Sequence, residues 1–221
     1  MLVVRPVEHP DVTQCVTIRI DSLGSLVIGR PPPYPGFSED QEATIHRDID
    51  NSPHVHHLKV IDPDDEHEII AYAKWEVYEM GRPDLEELSQ PMEESAKAVD
   101  QFGRLREAAH DYFCTRNGEK GKLPHLLLAL LVTARQHRQR GAGSMLVRWG
   151  IELSEKTGLP CYLQASEQGR RLYQHHGFEE IGTVEFNLSE YGLDGIEKMT
   201  EMTRGSWSKI VPEQGGRQLP V

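Results

Sequence analysis

A nearly unbroken apolar segment in the second half of the chain places the strongest constraint on its fold. Residues 125–133 read His-Leu-Leu-Leu-Ala-Leu-Leu-Val-Thr. A short apolar run of this kind is typical of a strand buried on both faces of a sheet. A basic, glycine-containing turn at residues 138–143 follows it, and residues 144–156 have the apolar spacing of an amphipathic helix. The sequence therefore predicts a strand, a turn and a helix in succession.

The remaining patterns predict further strands and helices on both sides of this unit. Two strand-like runs, residues 55–61 and 68–78, are separated by an Asp-Pro-Asp turn, which indicates an antiparallel hairpin. The other predicted strands are residues 2–7, 161–165, 178–188 and 196–204, and the other predicted helices are residues 9–23, 38–50 and 167–176. This mixture of strands and helices is typical of an α/β protein.

The length of 221 residues suits one domain, which we assign to residues 1–205. Residues 81–122 are highly charged with sparse apolar positions, and we interpret them as an insertion between two strands, with a helix at residues 93–113. Residues 206–221 are interpreted as a C-terminal tail. The net charge of −11 argues against non-specific nucleic-acid binding, because an acidic surface repels phosphate backbones.

Neither a membrane span nor a disulfide framework is expected. No apolar run approaches the roughly 20 residues that cross a bilayer, and the N-terminus lacks the apolar core of a signal peptide. The three cysteines, Cys15, Cys114 and Cys161, are odd in number and widely spaced. This usage favours a reducing compartment, and we expect the protein to be cytoplasmic.

The turn between the apolar strand and the helix has the properties of an anion-binding site. The first amides of a helix have no intrahelical partner, and glycines let an anion approach the backbone closely. Arg138 and Arg140 add positive charge, with Gly141 and Gly143 beside them. The turn matches neither the Walker pattern nor the dinucleotide fingerprint, since Leu146 stands where the third glycine should fall. A plain strand–helix turn is the alternative.

Two segments together resemble the GNAT superfamily of acyl-CoA-dependent N-acyltransferases. The first is Arg138-x-x-Gly141-x-Gly143, and the second is Leu172-Tyr173-x-x-x-Gly177-Phe178, in which Tyr173 lies 32 positions after Gly141. The resemblance covers residues 126–178 and is nearest to fungal members. It implies a GNAT-like fold, namely a mixed, mostly antiparallel sheet flanked by helices, in which the central parallel strands 125–133 and 161–165 splay apart.

The resemblance also implies acetyl-CoA as cosubstrate. Its pantetheine would pair with the backbone of residues 131–133 and its pyrophosphate would lie on the amides of residues 138–144. Ser166 stands where many members carry an Asn that contacts the cofactor. The residues expected to bind acetyl-CoA are therefore Leu131, Val132, Thr133, Arg138, Gln139, Arg140, Gly141, Ala142, Gly143, Ser144, Ser166 and Tyr173.

Tyr173 matches the family tyrosine that protonates the departing thiolate of CoA. Many members place a general base at the positions occupied here by Leu127 and Ala129, which cannot take a proton. The candidates for the base are Glu76, on the neighbouring hairpin strand, His125, two residues before Leu127 and on the same strand face, and the group His54, His56 and His57. An outward-facing charge and a solvent-facing histidine are the alternatives for Glu76 and His125. No metal is expected, because His54, His56 and His57 lack a carboxylate partner at a convincing spacing.

These features predict an N-acetyltransferase that moves an acetyl group from acetyl-CoA to a primary amine of a small molecule by direct nucleophilic attack. The acidic charge suits a cationic amine, and residues 81–122 are expected to border the acceptor cleft. The alternatives are a non-catalytic acetyl-CoA sensor, favoured by the missing strand base, and a protein or peptide N-acetyltransferase. Assembly as a homodimer is left open.

Overall fold

The computed structural model describes residues 1–23, 35–64, 68–83 and 121–205. The strands are β1 (Val3–Pro6), β2 (Val55–Ile61), β3 (Ile69–Tyr78), β4 (His125–Thr133), β5 (Cys161–Ser166), β6 (Glu179–Asn187) and β7 (Ile196–Arg204). The α-helices in these ranges are α1 (Val12–Leu23), α2 (Phe37–Asn51), α3 (Ala142–Thr157) and α4 (Glu167–His175). The strand and helix predictions for the described ranges are confirmed to within a few residues at each end.

The seven strands of the described residues form one sheet in the order β1-β2-β3-β4-β5-β7-β6. The strands β2 and β3 form the expected antiparallel hairpin, and β4 and β5 are parallel neighbours joined through α3. Every other pairing in the sheet is antiparallel. The predicted α/β class, with a mixed and mostly antiparallel sheet, is therefore confirmed.

The central strands β4 and β5 separate after three paired residues. Pairing runs from Leu126–Cys161 to Leu128–Leu163, and beyond it β5 continues to pair with β7 alone. Ala129 is a bulge in β4, because Lys74 pairs with Leu130 whereas Trp75 pairs with Leu128. A bulge bends the strand that carries it and increases its twist. The predicted splay of the parallel strands is confirmed, and it leaves one edge of residues 129–133 open.

The same geometry corrects the expectation that β4 is buried on both faces. His125, Leu126, Leu128 and Val132 are buried, but Ala129 is exposed and Leu130 and Leu131 are only partly covered. The bulge and the loss of the β5 neighbour explain this exposure, because no strand covers that edge of the sheet after Leu128.

Helices cover both faces of the sheet and form two apolar cores. One core lies under α3 and α4 and includes Trp75, Leu146 and Met202. Gly150 of α3 allows the Trp75 ring to lie against the helix backbone, since a Cβ there would be 2.2 Å from the ring. The second core lies under α1 and α2 and includes Val16 and Val132. The sheet therefore presents a separate set of side chains to each helical layer.

The two segments that flank the insertion lie next to each other. The amide of Arg82 donates to the carbonyl of Gly121 over 2.7 Å, so the segments that flank residues 84–120 are hydrogen-bonded to each other. The predicted helix at residues 93–113 and the predicted tail at residues 206–221 lie outside the described residues. The assignment of residues 1–205 to one domain stays a prediction.

Candidate active site

A cavity of about 510 Å³ lies where β4 and β5 separate. Its walls come from the end of α1, the open edge of β4, the turn before α3, and α4. The lining residues are Ser22, Leu23, Leu131, Val132, Thr133, His137, Arg138, Gln139, Gly141, Ala142, Gly143, Ser144, Ser166, Gln168, Gly169, Leu172 and Tyr173. The fold thus brings the two sequence segments of the family resemblance into one cavity, together with every residue expected to bind acetyl-CoA except Arg140.

The turn before α3 has a backbone suited to an anion. Gly141 is the N-cap of α3 with φ 88°, and Gln139 also has a positive φ, 64°. Left-handed residues alternating with ordinary ones turn successive amides toward one side, which creates a concave anion-binding surface. A Cβ on Gly141 would meet nothing within 4 Å, so the space beside this glycine is open toward the cavity.

The two arginines of the turn have different surroundings. Arg138 is exposed and lines the cavity. Arg140 does not line it: one guanidinium nitrogen pairs with the Asp62 carboxylate, and another lies 2.9 Å from Nδ1 of His137. The hydrogen bond from Arg140 holds the pKa of Asp62 below its usual value. Arg138 is therefore the better placed of the two to meet an anion in the cavity.

Tyr173 lies on α4, with its ring packed edge-on against Phe178 at 6.0 Å between centroids. The side chain is 7% exposed, and burial raises the pKa of its hydroxyl above the ordinary value of 10. Within the described residues no hydrogen bond joins this hydroxyl to another group. Gly169 makes room for it, because a Cβ there would be 3.0 Å from the ring. A protonated phenol therefore faces the cavity that contains the glycine turn.

The end of α1 forms a wall of the cavity that the sequence patterns did not indicate. The Ser22 hydroxyl donates to the carbonyl of Thr133 over 3.2 Å, which holds α1 against the end of β4. Leu23, His137, Gln168 and Gly169 were also missed, and Leu172 was named only as part of the family segment. Of the missed residues, Gly169 carried a usable signal, since a glycine four residues before Tyr173 on a helix lies directly beside it.

On the sheet face away from α3 and α4, Glu76 lies beside Leu127, the position on β4 where the expected base is missing. Leu127 pairs with Glu76 on β3 and with Tyr162 on β5, so the three side chains form a row across the sheet. Glu76 is 8% exposed. Its Oε1 lies 3.0 Å from Nζ of Lys74, and its Oε2 accepts a hydrogen bond of 2.7 Å from the hydroxyl of Tyr78. The structure therefore holds a carboxylate one strand away from Leu127.

His125 lies at the start of β4, in the neighbouring row opposite Tyr78. Its Nδ1 donates to the carbonyl of Leu123 over 2.7 Å, an arrangement that fixes the proton on Nδ1. Burial lowers its pKa, and nearby Arg82 acts in the same direction, while the Leu123 carbonyl and Glu76 oppose the shift. The imidazole is therefore neutral at pH 7. It is buried rather than solvent-facing, at 3% exposure.

A second buried carboxylate lies on the same face beyond β5. Glu201 is 2% exposed on β7, and its Oε1 accepts a hydrogen bond of 3.2 Å from the hydroxyl of Tyr162. Gln164 pairs with Glu201 across the strands, and its amide lies 3.4 Å from the same hydroxyl. This polar group was missed, because nothing local in the sequence brings β5 and β7 together.

The histidines near the hairpin have separate partners. His57 contacts Asp48 and Tyr72, whereas His56 packs its ring 5.1 Å from the Trp149 ring. No set of three or more metal-ligating side chains with suitable geometry was found in the part of the chain that the structure describes. Likewise, none of the described helices combines the length and the apolar character that crossing a bilayer requires.

Comparison with known proteins agrees with this geometry. The sequence profile described as the Acetyltransferase (GNAT) family matches residues 29–178. The probable acyltransferase SID5 of Ajellomyces capsulatus is 36% identical over 44 residues, which are 20% of this chain and 32%, about a third, of that protein.

Solved structures share the fold over nearly the whole chain. The mosquito arylalkylamine N-acetyltransferase like 5b has a TM-score of 0.64 at 15% identity, over 92% of this chain and 99% of that one. The polyamine N-acetyltransferase of Drosophila melanogaster, which forms N-acetylagmatine, has a TM-score of 0.61 at 18% identity, over 93% and 100%. At these identities the likeness establishes the architecture alone.

Proposed function

Because the chain belongs to the GNAT acetyltransferase family and is an acyl-CoA-dependent N-acyltransferase, we propose that it transfers the acetyl group of acetyl-CoA to the primary amine of a small cationic molecule. The observation that carries this proposal is the cavity of about 510 Å³, which joins the glycine turn, the open edge of β4 and Tyr173. The glycine turn suits the pyrophosphate of an acyl-CoA, the open strand edge suits its pantetheine, and the Tyr173 hydroxyl suits its thioester sulfur.

The residues of the cavity fit acetyl-CoA chemically. The amides at the start of α3, with Arg138 beside them, suit a pyrophosphate. Residues 131–133 offer backbone groups on the side where β5 no longer pairs, which suits the amides of pantetheine. Ala134 donates its amide to Ile70 on β3, so two residues earlier the Val132 backbone faces β3 as well, and Leu131 and Thr133 face the open edge. The Thr133 carbonyl is already used by Ser22, so Leu131 is the more available partner.

The reaction needs one proton removed and one supplied. The amine nitrogen attacks the thioester carbonyl carbon, a C–N bond forms, and the C–S bond breaks. Tyr173 gives its proton to the departing sulfur and regains one from solvent, while a base takes the proton that the amine loses. Cys161 is buried, and burial raises the pKa of its thiol to about 11, so it is a poor nucleophile and direct attack is preferred.

Glu76 is our first choice for the base, and His125 is the second. Glu76 supports this assignment because it lies directly across from Leu127, the position where many family members carry the base. His125 supports it because it is neutral and keeps Nε2 as its basic nitrogen, although it lies one row further along β4. The variants Glu76→Gln and His125→Asn distinguish the two candidates. Only the variant that removes the true base should abolish the acid limb of the pH–rate profile.

A cationic amine is the favoured acceptor class. Glu76, opposite Leu127, and Glu201, two strands further along, place two buried carboxylates on the same sheet face. The net charge of −11 draws cations toward the protein. The Drosophila neighbour, which forms N-acetylagmatine, agrees with a small cationic substrate.

The test is a release assay for free CoA with acetyl-CoA and a panel of agmatine, putrescine, spermidine, tyramine and short peptides. Turnover with a small cationic amine supports the proposal. Turnover with peptides alone would make the protein a peptide N-acetyltransferase. Thermal stabilisation by acetyl-CoA without release of CoA for any amine would instead identify a non-catalytic sensor.

We also propose a reducing, cytoplasmic compartment for this enzyme. Cys15 and Cys161 are free and buried. Burial raises the pKa of Cys15 to about 12 and of Cys161 to about 11. Such thiols pack as apolar groups and have no structural need for an oxidising environment. Localisation of a tagged chain with a redox-sensitive reporter would test this.

A further inference from the structure

A buried polar network leads from helix α2 to Glu76. Nζ of Lys74 lies 3.2 Å from Oδ2 of Asp48 and 3.0 Å from Oε1 of Glu76. The same Asp48 oxygen lies 3.0 Å from Nε2 of His57, and Nδ1 of His57 lies 2.7 Å from the hydroxyl of Tyr72. The contacts thus run without interruption from β2 through α2 to the carboxylate on β3.

The protons in this network follow from the partners. Asp48 can only accept, so His57 carries its proton on Nε2 and accepts from Tyr72 at Nδ1. Burial lowers the pKa of His57, and the hydrogen bond to Asp48 opposes this shift without reversing it. Burial alone would raise the pKa of Asp48, but the Lys74 ammonium and the His57 hydrogen bond hold it below its usual value. Lys74 is therefore a cation shared between two carboxylates, with a neutral histidine behind one of them.

We propose that Lys74, held in place by Asp48, is the positioning residue of the acceptor site and that it orients Glu76 for proton removal from the amine. The inference rests on the proposed function, in which Glu76 is the base. With Lys74 on one oxygen and Tyr78 on the other, the carboxylate has one orientation, and each oxygen keeps a lone pair for the substrate.

Several charged and titratable groups surround Glu76. The titratable and charged groups that face it or its partners are Lys74 and Tyr78 on β3, Asp48 on α2, His54 and His57 at β2, His125 on β4, and Arg82, which stacks on Tyr78. Lys74 is the cation in direct contact with the carboxylate. Asp48 is the group that competes with Glu76 for that cation.

If Lys74 had only a structural role, replacing it should have the same effect as replacing Lys59. Lys59 on β2 pairs with Asp11, and the two side chains are 11% and 18% exposed, a burial comparable to that of the Lys74–Asp48 pair. No described contact joins Lys59 to Glu76. Lys59→Met is therefore the matched control for Lys74→Met. Both variants remove a largely buried lysine and leave an aspartate without its lysine partner, but only Lys74 contacts the proposed base.

The experiment measures kcat and KM for four variants with the best amine of the panel. Lys74→Met should lower kcat by at least ~10-fold and keep the KM for acetyl-CoA near the wild-type value, since a base held away from its productive geometry slows the chemical step without weakening cosubstrate binding. Lys74→Arg should restore most of the rate. Asp48→Asn should lower kcat by a smaller factor, because Lys74 then keeps its contact with Glu76 and loses only its second partner. Lys59→Met should lose stability and keep the wild-type kcat.

Rescue by Lys74→Arg and the unchanged kcat of Lys59→Met distinguish positioning from general loss of packing. The proposal is overturned by wild-type kcat in Lys74→Met when Glu76→Gln is inactive. Should Lys74→Met fail to fold, wild-type kcat in Asp48→Asn overturns it equally. Full turnover in Glu76→Gln would reject the assignment of the base itself, and the role of Lys74 with it.

Discussion

Tyr173 has the surroundings that protonation of a leaving thiolate requires. Burial raises its pKa, so the hydroxyl carries its proton throughout the neutral range. The same poorly solvated surroundings make a departing thiolate more basic, because desolvation disfavours the charged form of both groups. The phenol and the sulfur therefore remain matched although both are less acidic than in water. At this scale the chemistry depends on one hydroxyl.

Replacing Tyr173 with Phe should keep the ring, its packing on Phe178 and the binding of acetyl-CoA, but remove the proton. We expect kcat to fall by ~10²–10⁴-fold, the usual contribution of a general acid. Affinity for acetyl-CoA should change little, since one hydrogen bond contributes about 0.5–1.5 kcal/mol net. The loss should ease with a thioester whose thiol is more acidic. Near-normal kcat in a chemistry-limited assay would show that the residue is structural.

The buried histidines predict a pH dependence of stability. His57 and His125 have pKa values lowered below 6.5 in the folded state, so below about pH 6.5 the unfolded chain binds more protons. Stability is fully present above that pH and is lost as the pH falls through the folded pKa values. Each histidine contributes a slope of at most about 1.4 kcal/mol per pH unit. The lowered pKa of Asp48 adds a second loss below about pH 4.

Urea unfolding at pH 7.5, 6.5 and 5.5 measures this dependence. The free energy of unfolding should fall only slightly between the first two values, because the unfolded histidines are half protonated at pH 6.5, and more steeply between the second and third. His57→Gln should reduce the slope, because its side chain cannot take up the proton. A free energy that rises on acidification would contradict the assignment of neutral, buried histidines.

Helix α3 begins and ends with a glycine of the same conformation. Gly141 has φ 88° at the start and Gly158 has φ 74° at the end, and neither would meet another atom within 4 Å on gaining a Cβ. The backbone need for glycine is thus equal at both ends. Only the first of them lines the cavity. Substitutions at the two glycines therefore distinguish the need for a left-handed backbone from the need for space beside the ligand.

Gly141→Ala and Gly158→Ala should each lose about 1–2 kcal/mol of stability, the cost of a left-handed conformation for a residue with a Cβ. Acetyl-CoA at 100 times its Kd should stabilise wild type and Gly158→Ala by about 2.7 kcal/mol. Gly141→Ala should lose most of this stabilisation because its methyl group occupies the space next to the amides. Differential scanning fluorimetry with and without acetyl-CoA gives the shifts. Equal shifts in the two variants would place the ligand elsewhere.

At the scale of the whole molecule, the insertion joins β3 to β4 and both its flanks meet at the Arg82–Gly121 hydrogen bond. The same two strands carry Glu76 and His125 on the face where the acceptor is proposed to bind. The cavity proposed for acetyl-CoA is lined from other parts of the chain. Specificity for the amine and binding of the cosubstrate should therefore be separable.

Replacing residues 84–119 with a short Gly/Ser linker should change the ranking of amines in the CoA-release assay. The affinity for acetyl-CoA, measured by thermal shift, should stay within a few-fold of wild type. Because the flanks are already hydrogen-bonded, a short linker closes the gap at little entropic cost. Identical relative rates for every amine would mean that the insertion is remote from the acceptor cleft.

The sequence by itself determined the features whose interactions are local. The glycine turn and α3 depend on hydrogen bonds between residues three or four apart, and the segment around Tyr173 is likewise one helix with its C-terminal turn. The strands were predictable because their apolar patterns reflect burial in any sheet. These elements lay where the patterns placed them, to within a few residues.

Only the tertiary structure decided what lies across the sheet. The bulge at Ala129, the row that sets Glu76 beside Leu127, and the contact of Lys74 with Asp48 all depend on strand register and on helix α2 packing over the hairpin. A shift of one residue in register would turn every side chain of a strand to the other face. Register is set by pairing between segments far apart in the chain. The sequence could therefore name Glu76 as a candidate base, but no local pattern could place it opposite Leu127.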